Sequence, residues 1–222
     1  MPNGNDPTGN TDIKIGYLGF TQSASDAWGK TLSGKGAQIR DYDAIDSVVD
    51  YLIKQLDRDG NGKIDDCDAP FKSIGIVGYS WGGWSVPRTV ESFVDDERVD
   101  KDALTSKNNW HLHLGMLDPV GTQRPATRIR GAFVDSALNI YETNGGGLSF
   151  LPNSWFVGQV IPGGTDVTTN ENITNDSVTN PFAPGKGHPD HPFLGYDTNG
   201  QLPNYDLDGG KYRDRVAKVL DK

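Results

Sequence analysis

Residues 71–79, Phe-Lys-Ser-Ile-Gly-Ile-Val-Gly-Tyr, form a nearly continuous run of apolar and glycine residues. The run ends at a serine held between two glycines, Gly78-Tyr79-Ser80-Trp81-Gly82, with a third glycine at 83. This stretch restricts the fold more than any other. A strand of that composition has no polar face to give to water, so both of its faces must be covered. A helix is expected over about 82–95, so the chain must pass from strand to helix in a very tight turn. Such a turn forces the serine into a strained backbone conformation. The residues two before and two after it must be small for strand and helix to approach, and Gly78 and Gly82 meet that demand.

The first 140 residues alternate between strand and helix signals. Strands are expected at 12–20, 71–79, 111–120 and 129–141. The clearest helix carries Ile45, Val48, Val49, Leu52, Ile53 and Leu56 on one face, with Asp41 or Asp43 as its N-cap. Residues 21–38 read as a polar, glycine-rich loop. Residues 142–210 read as long loops with short strands such as 155–161, and residues 212–222 as a short helix. The expected class is α/β, a mostly parallel sheet flanked by helices. No linker-like shift in composition divides the chain, so residues 12–222 are expected to form one domain after a disordered lead-in over 1–11.

Overall composition excludes several classes. A formal net charge of −9 argues against nucleic acid and anionic membrane surfaces as partners. There is no run of about 18 apolar residues, so no transmembrane segment is expected. Residues 1–12 lack the charged and apolar regions of a signal peptide. The single cysteine, Cys67, allows no intrachain disulfide. The protein is expected to be a monomer.

Strand, Gly-x-Ser-x-Gly, then helix is the nucleophile-elbow arrangement, which lifts the Ser80 hydroxyl out at the carboxyl end of a sheet. The start of the following helix supplies N–H groups for an anionic intermediate. A serine needs a base, and the base needs an acid to orient it. There are four histidines. His111 and His113 fall two apart in an expected strand and read as strand residues. His188 and His191 lie in a late loop, where the order Ser…Asp…His places the base. His188, which follows Gly187 and has Asp190 two residues on, is the expected base, and His191 is the runner-up. Asp118 ends the strand after the elbow strand, so it would point into the same crevice as Ser80. Asp135 is its rival.

These motifs together resemble the α/β-hydrolase superfamily, in particular its lipases and esterases. "VGYSWGG" is similar to the lipase elbow, "LDPVG" to the segment where one lipase branch keeps its triad aspartate, and "GHPDHP" to a histidine loop. The resemblance implies a compact α/β-hydrolase fold and a serine hydrolase that cleaves carboxylic esters. Its substrate would be a small-molecule, lipid or polymer ester, and no organic cofactor would be needed. Ser80 would be the nucleophile, Asp118 the acid and His188 the base. The Trp81 N–H would be one oxyanion donor, and Phe20 or Thr21, in the loop after an early strand, would supply the second. Alternatives are a peptidase, amidase or thioesterase on the same scaffold, or a catalytically inactive calcium-binding accessory domain.

The segment "DRDGNGKIDDCD" (57–68) places Asp57, Asp59, Asn61, Asp65 and Asp68 at positions 1, 3, 5, 9 and 12 of a twelve-residue loop. Gly62 stands at the sharp turn, Ile64 at the inward position, and Lys63 offers a backbone carbonyl. This is the EF-hand calcium pattern, with Asp at the last position as in dockerin-type loops. A structural Ca2+ pinning the loop that leads to the elbow strand is expected, and it favours a secreted protein. Of the five tryptophans, Trp81 is the best placed to line an acyl or aromatic pocket.

Overall fold

The computed structural model describes residues 12–20, 22–68, 73–104, 110–120, 129–145, 158–162, 167–178, 187–189, 191–195 and 205–222, with the backbone alone for 205–208. Six strands form one sheet: β1 (Ile13–Tyr17), β2 (Gln38–Arg40), β3 (Ser73–Tyr79), β4 (His111–Leu117), β5 (Ser136–Tyr141) and β6 (Thr168–Asn172). Their order is β2-β1-β3-β4-β5-β6, and every neighbouring pair is parallel. The helices are α1 (Ala27–Gly34), α2 (Ile45–Leu56), α3 (Trp81–Val94), α4 (His191–Gly195) and α5 (Tyr205–Ala217). The α/β class expected from the strand–helix alternation is therefore the observed one.

Strand alternation divides the core in two. Ile74 and Ile76 of β3 face a cluster built with Val48, Leu52 and Leu56 of α2 and Val86, Val90 and Phe93 of α3. Val77 and Tyr79 face the opposite cluster, with Trp28 and Leu32 of α1 and Tyr212 and Val216 of α5. The apolar stripe of α2 packs as its spacing dictates, with Val48, Val49, Leu52, Ile53 and Leu56 all buried. Each such side chain contributes roughly 1.5–3 kcal/mol on leaving water.

Several boundaries differ from expectation. Residues 21–38, read as loop, contain α1 and the start of β2. The eight-residue α1 includes two glycines and holds through the burial of Ala27, Trp28 and Leu32, so packing outweighs its weak propensity. Helix α2 begins after Ala44 without a side-chain cap, so neither Asp41 nor Asp43 caps it. The strand expected at 129–141 is confined to Ser136–Tyr141, after a 3-10 turn at Gly131–Phe133. Residues 158–161 form no strand, and 155–157 lie outside the described residues. Strand β6, Thr-Thr-Asn-Glu-Asn, is an edge strand without an apolar residue. The last helix begins at Tyr205 and passes through Gly209 and Gly210. The lead-in over 1–11 lies outside the described residues. No helix among the described residues is long and apolar enough to cross a membrane.

The topology fixes where a site can form. From β1 the chain steps outward to β2, then returns to β3 on the other side of β1. The crevice outside the carboxyl ends of β1 and β3 lies at this reversal, where open parallel sheets place their ligands. Strands β3 and β4 pair from Ser73 with His111 to Tyr79 with Leu117. The residues just past their ends, Ser80 and Asp118, therefore emerge side by side.

The strand histidines lie at the other end of this register. The exposed His111 lies 3.6 Å from Asp135, and His113 hydrogen-bonds the Ser136 hydroxyl. Burial pushes the His113 imidazole below its ordinary value, against the opposing pull of Asp135. A histidine depressed in the folded state takes up its proton more readily when unfolded. Stability should therefore fall as pH drops below about 6.5, the ordinary histidine value. His113→Gln should flatten that slope, as read from urea midpoints at pH 7.5 and 5.5.

Candidate active site

Ser80 sits between β3 and α3 with φ 59° and ψ −127°, a conformation that side chains rarely adopt. The elbow is as crowded as its glycines suggest. A Cβ on Gly78 would lie 2.2 Å from the Gly82 carbonyl oxygen, and one on Gly82 would lie 2.3 Å from the Leu18 carbonyl oxygen. Ser80 is tied to its neighbours through its own backbone: its N–H donates to Leu117 O, and its carbonyl accepts from Val120 N–H.

The histidine at the serine is His191. Its Nε2 lies 2.8 Å from Ser80 Oγ, and its Nδ1 lies 2.5 Å from Asp118 Oδ2. Ser80, Asp118 and His191 are almost completely buried. A carboxylate can only accept, so Nδ1–H donates to Asp118, and Nε2 is left to accept the serine proton. His191 opens α4, and its backbone is held at both ends. Its carbonyl accepts the Tyr79 hydroxyl at 2.6 Å, and its N–H donates to Gly145 O at 3.3 Å. The Tyr79 ring also stacks on the imidazole, with centroids 4.9 Å apart.

His188, the base expected from sequence, is not at the serine. It is exposed, and its Nδ1 lies 3.2 Å from the carbonyl of Asp176. Each of the two histidines is followed by proline, and it is His191 whose backbone is tethered to Tyr79 and Gly145. Asp190 and Thr21 lie outside the described residues.

Asp118 stands where expected, with a left-handed φ of 48°. Its N–H donates to Ile140 O at 2.6 Å, and its Oδ1 accepts from Glu142 N–H at 3.0 Å. Its rival Asp135 lies before β5 and accepts from Leu112 N–H at 2.9 Å, at the far end of the strands from Ser80. Glu142, fully buried just past β5, is not among the site residues expected from the sequence. A carboxylate ending the strand next to the one that ends at Asp118 was the available signal.

Trp81 is the first residue of α3, where N–H groups lack intrahelical partners. The loop after β1 passes against the serine, so close that a Cβ on Gly19 would lie 2.9 Å from Ser80 Cβ. Phe20 follows, its ring 4.7 Å from that of Trp81, and Tyr42 packs edge-on against both. Beyond them lies a cavity of about 360 Å³. Trp81, Trp84, Ser85, Arg88 and Ser92, one face of α3, line it opposite Tyr42. The Arg88 guanidinium lies over the Trp84 ring at 4.3 Å.

The acidic loop is well organised. Asp57 accepts from the N–H groups of Gly60, Asn61 and Gly62, and Asp59 from that of Asn61. Gly60 and Gly62 turn the chain with φ of 78° and 82°. Ile64 is buried and bridges Val99, as its inward position suggests. Asp68, also buried, accepts from Arg58 N–H at 2.6 Å and Asp65 N–H at 2.9 Å. Oxygens of Asp57, Asp59 and Asp68 lie within 4.8 Å of one another. Asp65 stands outside that trio and accepts from Cys67 N–H, which holds its carboxyl below the usual range. Asn61 Oδ1 accepts from Lys63 N–H, and the Lys63 side chain is exposed. The three clustered carboxylates offer only anionic oxygen donors, which fits a hard divalent cation.

Compared with known proteins, the chain matches no family model and no curated protein.

Proposed function

We propose that this chain is a serine hydrolase that cleaves carboxylic esters through an acyl-enzyme. The observation that carries the reading is the continuous hydrogen-bonded path from Ser80 Oγ through His191 to Asp118. In this reading Ser80 attacks the ester carbonyl while His191 Nε2 takes its proton. Asp118 fixes the imidazole tautomer and stabilises the imidazolium. The oxyanion rests on the Trp81 N–H, with the β1 loop at Phe20 as the source of the second donor. His191 then protonates the leaving alcohol, and water releases the acid by the same path in reverse. The aromatic cavity beside Trp81 is suited to the ester's side group.

Mixing the protein with p-nitrophenyl acetate tests this. The expected result is steady nitrophenolate release, with a transient acetyl group on the peptide containing Ser80. A folded protein that neither turns over the ester nor acquires the acetyl group contradicts the reading.

We propose that the acidic loop is a structural Ca2+ site. Asp57, Asp59 and Asp68 would hold the ion, with Asn61, the Lys63 carbonyl and Asp65 as further oxygen donors. The ion would supply charge neutralisation for carboxylates that otherwise repel one another. Binding to the folded state alone raises stability by about 2.7 kcal/mol at a hundredfold excess over Kd. Millimolar Ca2+ should raise Tm relative to EDTA, and Asp57→Ala should abolish the shift.

A further inference from the structure

We infer that Glu142 is a second acid for His191, a positioning residue able to take over the imidazole when Asp118 is lost. The inference rests on the serine-hydrolase reading above. Strands β4 and β5 are parallel neighbours, with Leu117 paired to Ile140. Just beyond those residues each strand delivers one carboxyl group, Asp118 and Glu142, and both are fully buried. A ring nitrogen of His191, an oxygen of Asp118 and an oxygen of Glu142 lie within 4.8 Å of one another.

The backbone around Glu142 joins the two partners of the histidine. The Glu142 N–H donates to Asp118 Oδ1 at 3.0 Å. Its Oε2 accepts from the N–H groups of Asn144 and Gly145. The Gly145 carbonyl in turn accepts from His191 N–H, and Asn144 Nδ2 donates to Pro189 O at 2.7 Å. The Glu142 carboxylate thus organises the turn on which the histidine segment hangs. A buried carboxyl group is costly unless it serves charge or hydrogen bonding, and this one stands beside the one ring whose cationic form the reaction needs. In wild type, Asp118 already occupies His191 Nδ1. A Glu142 oxygen already lies within 4.8 Å of a ring nitrogen, so with the Asp118 carboxylate removed it needs a shift of at most about 2 Å, or one bridging water, to reach hydrogen-bond distance.

The test is a double-mutant cycle on p-nitrophenyl acetate with Glu142→Gln, Asp118→Ala and the pair. The glutamine keeps the oxygen that accepts from Asn144 and Gly145 and removes the charge. Glu142→Gln alone should stay within about fivefold of wild-type kcat, and in the Asp118→Ala background it should cost at least about 30-fold. A contribution to structure alone would cost the same factor in both backgrounds, so equal factors overturn the inference. Should Asp118→Ala fail to fold, the cycle is run with Asp118→Asn. The ring N–H proton resonance of His191 gives a readout independent of turnover. It should stay far downfield in the single Asp118 variant and vanish in the double. Loss in the single variant overturns the inference even where ester hydrolysis stands, and absence of wild-type hydrolysis counts against the serine-hydrolase reading instead.

Discussion

His191→Ala is expected to reduce ester hydrolysis by at least about 10³-fold, while His188→Ala leaves it within about threefold. The two histidines lie three residues apart, both are followed by proline, and either suits the motif. The structure separates them by what each ring touches. His191 has the serine hydroxyl on one nitrogen and Asp118 on the other, and is 3% exposed. His188 faces solvent and the Asp176 carbonyl. Removing His191 leaves Ser80 without a base and Asp118 as a buried carboxylate without its partner, so the loss falls on kcat. Steady-state kinetics on both variants, with folding checked by circular dichroism, decides the matter. Equal losses, or a larger loss at His188, contradict the assignment.

Gly78→Ala is expected to be strongly destabilising, because the atoms nearest the added methyl are all backbone. The added Cβ would meet the Gly82 carbonyl oxygen at 2.2 Å, its carbon at 2.5 Å and the Gly83 nitrogen at 2.8 Å. All three atoms belong to the first turn of α3, so no rotamer change relieves the clash. Either α3 moves off the sheet or the turn at Ser80 opens. Forced overpacking in a tight core costs about 1–3 kcal/mol and sometimes more, and the upper end applies where backbone must move. Gly83→Ala serves as a control, because its nearest contacts are 3.2 Å away. Urea denaturation should show Gly78→Ala destabilised by about 3 kcal/mol or more, with activity lost. Gly83→Ala should fall within about 1 kcal/mol of wild type. Similar midpoints for the two would contradict this account of the elbow.

The central sheet could be read from the sequence because its strands are buried on both faces. Ile13–Tyr17, Ser73–Tyr79 and His111–Leu117 are rich in apolar residues and glycine. The same holds for α2, whose stripe of five buried residues announces its period. The edges were hidden for the converse reason. Strand β6 has no apolar residue, α1 carries two glycines, and the part of α5 that precedes the helix expected at 212–222 contains Gly209 and Gly210. Their order comes from contacts distant in sequence, such as Trp28 Nε1 donating to the Tyr17 carbonyl at 2.9 Å.

The site divides along the same line. Ser80 and Asp118 each follow directly from the end of a readable strand, so their meeting is written into the register of β3 on β4. His191 opens the five-residue α4, too short to show a period, and its placement depends on Tyr79 and Gly145, 112 and 46 residues away. Glu142 directly follows the expected strand end at 141, and what stayed hidden was that β5 lies next to β4, which brings it beside Asp118.

The most direct measurement is labelling with a fluorophosphonate, which reacts only with a serine whose base is in place, followed by mass mapping of the adduct. One adduct per chain is expected on Ser80 in the wild type and in His188→Ala, and none in His191→Ala. No adduct in folded wild-type protein, or an undiminished one in His191→Ala, would contradict the claim that Ser80, His191 and Asp118 work as one unit.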